Sequence, residues 1–207
     1  MGMEGILCTT YVNDVVGISF KCPPNTYIAT SNTDTQTSTV HTISVDSYSV
    51  DDINKVQSPF MPSNATEEAQ IIARGEFDTS NDFSHKPSEK NIPIANTRAK
   101  EYMVFGRFHT GDVNPQKILV FYANGYRIQI KYSGSRLLFF QLYPQAFENA
   151  SENCTTDFEY GCYIWKTKGA DSLYNDMKNG SGPSGIQQWY NGFDTIVNTL
   201  QIYPPKL

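Results

Sequence analysis

Arg107 and His109 stand two positions apart in the segment "VFGRFH". Side chains on an extended strand alternate between faces, so this spacing puts both on one face with Met103 and Phe105, while Tyr102, Val104, Gly106 and Phe108 take the other. A cation beside a proton acceptor is what a concave sheet would show to an acidic ligand. It is also what a strand leaving the core would show to water. Trp165, Trp189 and the many tyrosines could stack on a ring-shaped ligand such as a glycan, a task those residue types share with sandwich cores and subunit interfaces.

Other chemistries find fewer residues to work with. No serine, histidine and acid stand in a context such as Gly-x-Ser-x-Gly, so nucleophilic hydrolysis has no support. The glycines of "ANGYRI", "YSGSR" and "NGSGPSG" make no phosphate-binding fingerprint between a strand and a helix. Three histidines and four cysteines lack zinc-site spacing, and neither a metal nor a cofactor is expected. Asp51-Asp52 and Glu67-Glu68 are expected to be solvated loop carboxylates rather than cation ligands. His41 and His85 fall in polar stretches with no evident partner. The cysteines form two local pairs, Cys8 with Cys22 and Cys154 with Cys162. These are disulfide candidates in an oxidising compartment, and four reduced, buried thiols would account for them equally well.

The elements that must position these residues are predicted to be strands. "QKILVFYA" and "YRIQIKY" flank Asn124-Gly125, the two-residue turn that suits the right-handed twist of a hairpin. In the second strand Tyr126, Ile128, Ile130 and Tyr132 alternate with Arg127, Gln129 and Lys131, giving one apolar and one wet face. "RLLFFQLY" is apolar on both faces and reads as a strand buried on both sides. "IQQWYNGFDTIVNTLQIY" starts with a helical face, Ile186, Trp189, Tyr190 and Phe193, and ends in a segment that reads better as a closing strand. Upstream, short β-prone pieces such as "YVNDVVGISF", "TYIAT" and "TVHTISV" are separated by turn-forming clusters. Residues 57–93 read as long surface connections or as an arm ordered only against a partner.

Composition agrees with strands. Only 18% of the 207 residues are charged, against 13 tyrosines and 12 phenylalanines, with much Ser, Thr and Asn. The expected fold is therefore all-β: a single antiparallel β-sandwich over residues 1–207, jelly-roll-like, with long loops. Residues 1–100 form an irregular half with a candidate assembly arm, and residues 101–207 the sandwich core. A net charge of −5 with scattered basic residues offers no stripe for a phosphate backbone, so nucleic acid is not an expected partner. No apolar run approaches bilayer length and no signal peptide is recognisable at the start of the chain, so membrane insertion is not expected.

The order of segments resembles the alginate-lyase type of polysaccharide lyase, a concanavalin-like jelly roll that cleaves uronic-acid polymers by β-elimination. "SNATEEAQIIARGEF" resembles the approach to that family's Arg-x-Glu-Leu-Arg motif, "GRFH" stands where the family has Gln-Ile-His, and "KILVFYANGYRIQIKY" resembles the hairpin that follows. The resemblance implies catalytic roles for Arg74, Arg107, His109 and Tyr190, with an arginine stabilising the enolate and His109 or Tyr190 moving protons. The departures are Asp78 in place of the second arginine and Arg107 in place of the glutamine.

These observations lead to a non-enzymatic structural or attachment protein as the first expectation, of the kind that forms virions, phage particles or surface fibres. It would oligomerise through flat β-surfaces and exchanged segments, with residues 30–95 protected only after assembly. A uronate-polymer lyase is the second expectation and a carbohydrate-binding module of the same fold the third.

Overall fold

The computed structural model describes residues 6–29, 40–55, 64–76, 85–105, 115–149 and 163–206. The N-terminal part supplies β1 (Ile6–Leu7), β2 (Thr10–Asn13), β3 (Ile18–Lys21), β4 (Thr26–Ile28) and β5 (His41–Ser49). Helices α1 (Val50–Lys55) and α2 (Ala65–Arg74) follow, then four strands, β6 (His85–Ile94), β7 (Thr97–Phe105), β8 (Gln116–Ala123) and β9 (Tyr126–Ser133). Helix α3 (Arg136–Leu142) leads through a single 3-10 turn into β10 (Phe147–Asn149). The chain ends with β11 (Tyr163–Trp165), α4 (Thr167–Lys178), α5 (Ser184–Thr199) and β12 (Gln201–Ile202).

Seven strands form one sheet in the order β1-β4-β5-β9-β8-β7-β6. Every neighbouring pair is antiparallel except β4 and β5, which run parallel. The β8–β9 hairpin turns on Asn124 and Gly125, with φ of 53° and 81°, as its two-residue turn requires. The Asn124 side-chain amide donates to the carbonyls of Val16 and Tyr203, 2.9 Å each, and so fastens the small β12-β3-β2 sheet to the hairpin.

Alternation along the strands sorts the sheet into two unlike faces. Ala99, Met103, Leu119, Phe121, Ile128 and Ile130 join the main core with α3, α4, α5 and strand β3. Val104, Ile118 and Val120 form a smaller apolar cluster on the opposite face with Ile72 of α2. Beside it the Arg127 guanidinium grips the Glu68 carboxylate at two points, 2.8 and 3.2 Å, and Arg127 also donates to Gln129 at 3.0 Å. Tyr122 completes the network by donating its hydroxyl to Glu68. Burial alone would push the Glu68 carboxyl up; Arg127 and Tyr122 outweigh it and hold the group below the usual carboxylate range.

The all-β jelly-roll expectation is corrected at three segments. "RLLFFQLY" forms α3 because Ser135 caps it, its hydroxyl accepting from the Leu138 amide at 3.2 Å. The helix buries Phe139 and packs against α5, while Gln141 and Leu142 stay exposed. "ATEEAQIIAR" forms α2, opened by the Asn64 side chain accepting from the Glu67 amide at 3.1 Å and closed by Gly75 at φ 80°. In "SGIQQWYNGFDTIVNT" the helical pattern persists through Ile196, so α5 continues to Thr199 and the expected closing strand shrinks to Gln201–Ile202. The architecture is α/β with a mixed sheet.

The partner-dependent arm is corrected too. Within it β5 is an inner strand paired to β9 along eight positions from Thr42 to Ser49, and β6 pairs with β7. Without the sandwich and the exchanged arm, the structural or attachment reading and its virion or surface location lose their basis. Glu68 is likewise no solvated loop carboxylate but a buried anchor of α2.

Glu68→Gln is expected to leave the Arg127 charge buried and half-paired, costing about 3–5 kcal/mol in urea denaturation, whereas Glu68→Leu combined with Arg127→Met recovers most of that loss.

Candidate functional site

Because β4 and β5 run parallel, their first residues lie together, and the antiparallel β9 brings its last residues to the same end of the sheet. The register pairs Thr26 with His41 and Ile43 with Tyr132. At that end a cleft of about 510 Å³ opens between the sheet and α5. Pro23, Pro24 and Asn25 wall one side, with Val40 and His41, and Tyr132 lies between them and the helix. The other side is a helical face of α5: Gly185, Gln188, Trp189, Gly192 and Thr195 recur at short, helix-compatible intervals.

Helix α5 is held there by aromatic packing. Trp189 is fully buried, stacked on Tyr132 with ring centroids 5.8 Å apart and edge-on to Phe139 at 5.1 Å. Phe193, one turn further on, stacks on the same Tyr132 ring at 6.4 Å. Gly192 lets the helix approach: a Cβ there would lie 3.0 Å from the Tyr132 hydroxyl and 3.1 Å from Pro23. A Cβ at Gly134 would fall 2.6 Å from the Phe139 ring and 3.1 Å from Trp189. The proline wall is tied down by the Cys8–Cys22 disulfide immediately before it and by the Cys8 amide donating to the Thr26 carbonyl at 2.8 Å.

The polar groups of the cleft are uncharged. His41 Nδ1 is buried and makes no hydrogen bond among the described residues, and burial brings the imidazole down to about 4, so it is neutral near pH 7. The Trp189 Nε1 hydrogen is likewise unpartnered among the described residues. Gln187 donates its amide nitrogen to the Met177 carbonyl at 2.9 Å and to Asn191 Oδ1 at 3.0 Å. The second of these bonds engages the Asn191 side-chain oxygen. Among the described residues that line the cleft there is no aspartate, glutamate, lysine or arginine.

A second polar cluster lies on the helix-covered face. Lys117 is buried, its Nζ 4.2 Å from the Tyr190 ring centre and 4.7 Å from that of Phe193. It donates to the Tyr190 carbonyl at 3.3 Å and pairs with Glu101 at 3.8 Å. Burial lowers the Lys117 amine from its ordinary range, with Glu101 opposing. Burial, then the neighbouring Tyr174, Glu101 and Asp194, push Tyr190 up to about 12, away from any value useful to a base at neutral pH.

The lyase expectation is corrected by placement. Arg74 ends α2 on one side of the sheet, exposed and paired with Glu76 at 2.9 Å, whereas Tyr190 lies in α5 on the other side. The sheet separates them, so they cannot share a groove. Arg107 and His109, like Cys154 and Cys162, lie outside the described residues, as does the Trp165 side chain. The carbohydrate-binding expectation fails at Trp189, whose face is given to Tyr132 and is unavailable as a sugar platform. Of the ligand residues expected from sequence, Trp189 is the one the cleft contains. His41 and Asn191 carry no site signal in the sequence; the proline pair before a β-prone segment and the small residues spaced along α5 are the signals that point to the cleft.

No family model matches the chain, and no curated protein matches it. A solved structure, the 1.9 Å crystal structure of the Saccharomyces cerevisiae Ran-binding protein Mog1p, aligns over 97% of this chain and 96% of that one, with 10% identity and a TM-score of 0.39. A likeness at that level defines neither the fold nor the partners of this chain. Among the described residues no helix is long and apolar enough to cross a membrane.

His41 generates a pH prediction. The unfolded chain takes up a proton near pH 6.5 and the folded one only near 4, so stability is complete above about pH 6.5 and declines as pH falls towards 4. Denaturation of the native protein and of His41→Phe at pH 7 and pH 4 isolates this contribution. The native protein is expected to lose roughly 3 kcal/mol more than the variant.

Proposed function

We propose that this protein binds a small, uncharged organic molecule non-covalently in the cleft between α5 and the ends of β4, β5 and β9. The observation that carries the reading is the cleft itself, about 510 Å³ in volume, with prolines, aromatic rings and uncharged polar side chains in its described lining. The cleft volume falls within the roughly 300–1,000 Å³ of small-molecule sites, and its mix of prolines, aromatic rings and a few polar groups is the composition such sites have. An ion placed there would lose its hydration without a counter-charge.

The reading is tested with a fragment library followed by two-dimensional ¹H–¹⁵N spectra of the whole chain. Fragments are expected to shift the Asn191 side-chain amide, Gly192 and the Trp189 indole together. Gln188→Trp, a change at an exposed position of the cleft lining, is expected to weaken them at least about tenfold. A library without a single binder at millimolar concentration, or binders indifferent to Gln188→Trp, overturns it.

A further inference from the structure

The two larger sheets end on one continuous segment. In the seven-stranded sheet β1 is the terminal strand beyond β4, and in the three-stranded sheet β2 is the terminal strand beyond β3, so residues 6–13, "ILCTTYVN", run along an end of both. A terminal strand leaves one row of backbone N–H and C=O groups unpaired, and folded chains blunt such rows with proline, charge or shortness. The other two ends of these sheets do so. Strand β6 contains Pro87 and Pro93, a break in register after His85 and the exposed Lys90, and β12 is two residues long with Pro204 and Pro205 close behind it. Residues 6–13 have neither a proline nor a charge.

Apolar surface collects on the same segment. Ile6, Leu7, Val12 and Val15 are four of the six large apolar side chains left exposed among the described residues. The segment holds its shape without a partner. The Cys8–Cys22 disulfide, the Cys8 amide donating to the Thr26 carbonyl at 2.8 Å and the Cys22 amide donating to the Thr9 carbonyl at 3.0 Å fix its middle, and Tyr11 of β2 stacks on Phe20 with ring centroids 5.0 Å apart. A preformed edge takes an incoming strand at little ordering cost.

Charge identifies the strand that fits. The register of β2 with β3 pairs Thr10 with Lys21, so an exposed ammonium without an ion-pair partner among the described residues flanks the start of β2. Asp14 follows the other end; its carboxylate accepts from the Tyr203 hydroxyl at 3.0 Å and pairs with Lys206 at 3.3 Å, with 45% of the side chain still exposed. A strand with an uncharged middle, a cation at one end and an anion at the other is complementary to its own reverse. Antiparallel pairing of two copies turns each Lys21 towards Asp14 of the other, whereas parallel pairing would set like charges together.

We infer that β2 is a homodimerisation edge, pairing antiparallel with β2 of a second copy about a two-fold axis near Val12. The strand is short, so the dimer is weak and reversible, of the kind that buries less than about 1,200 Å².

Sedimentation velocity of the whole chain between about 10 μM and 1 mM tests the pairing. The mass is expected to rise from monomer towards dimer with concentration, and hydrogen exchange at the β2 amides not bonded to β3 is expected to slow in step. Val12→Lys brings two ammonium groups together at the centre, and Lys21→Glu turns a carboxylate towards Asp14 of the other copy. Both positions are exposed, so thermal unfolding of the dilute monomer is expected to stay unchanged while the dimer dissociation constant rises at least about tenfold. A monomer at every concentration overturns the inference and leaves the edge to a strand of another protein. A dimer indifferent to either substitution, or one that forms without slower exchange at β2, overturns it as well.

Discussion

The stacking of Trp189 on Tyr132 is the contact on which the arrangement at this end of the molecule depends. Tyr132 lies at the end of β9, the strand between β8 and β5, so it is fixed by the sheet; Trp189 sits within α5. Their contact sets how far the helix stands from the strand ends, and Phe139 and Phe193 complete the ring cluster around them. Gly134 and Gly192 make the approach sterically possible. The space left between helix and strand ends is the cleft, so its width follows from ring packing in the core. A site built in this way is formed before a ligand arrives, which limits the ordering cost of binding.

The two faces of the sheet serve different ends. The face under α3, α4 and α5 carries the main apolar core and, within it, the Lys117–Glu101 pair beneath Tyr190 and Phe193. The opposite face holds α2 through one small apolar cluster and the Arg127–Glu68–Tyr122 network. A buried ion pair contributes little net stability over an apolar replacement, but it penalises any other placement of α2, because either charge alone would remain buried and unpaired. Register and position of that helix are thereby specified by charge as well as by fit.

The sheet is more legible in the sequence than the helices are. Asn124-Gly125 between alternating strands identifies the β8–β9 hairpin, and the apolar face of Ile128, Ile130 and Tyr132 lies in the main core. Arg127 reads as wet because alternation reports only which face a residue takes; α2 covers that face, and no local pattern announces it. The segments "RLLFFQLY" and "ATEEAQIIAR" hide their helices for another reason. In the first, apolarity on both faces does not separate a strand from a helix; in the second, a short apolar piece lies among polar residues and prolines; the deciding signals are the caps, Ser135, Asn64 and Gly75. Trp189 is legible as a candidate, whereas His41 is not, since its place beside Pro24 and α5 comes from the parallel pairing of β4 with β5. Parallel pairing joins segments through a connection whose length and direction no hairpin motif encodes.

The central claim is that a small molecule sits against His41 in a cleft already shaped by the Trp189–Tyr132 stack. Intermolecular nuclear Overhauser effects between the tightest-binding library fragment and the protein test it most directly. Contacts from the fragment to His41 ring protons and Gly192 Hα, with the Tyr132–Trp189 contacts unchanged on binding, are the predicted result. A tightest-binding fragment with contacts elsewhere on the protein, or a Trp189 that leaves Tyr132 to make room for it, would contradict the account.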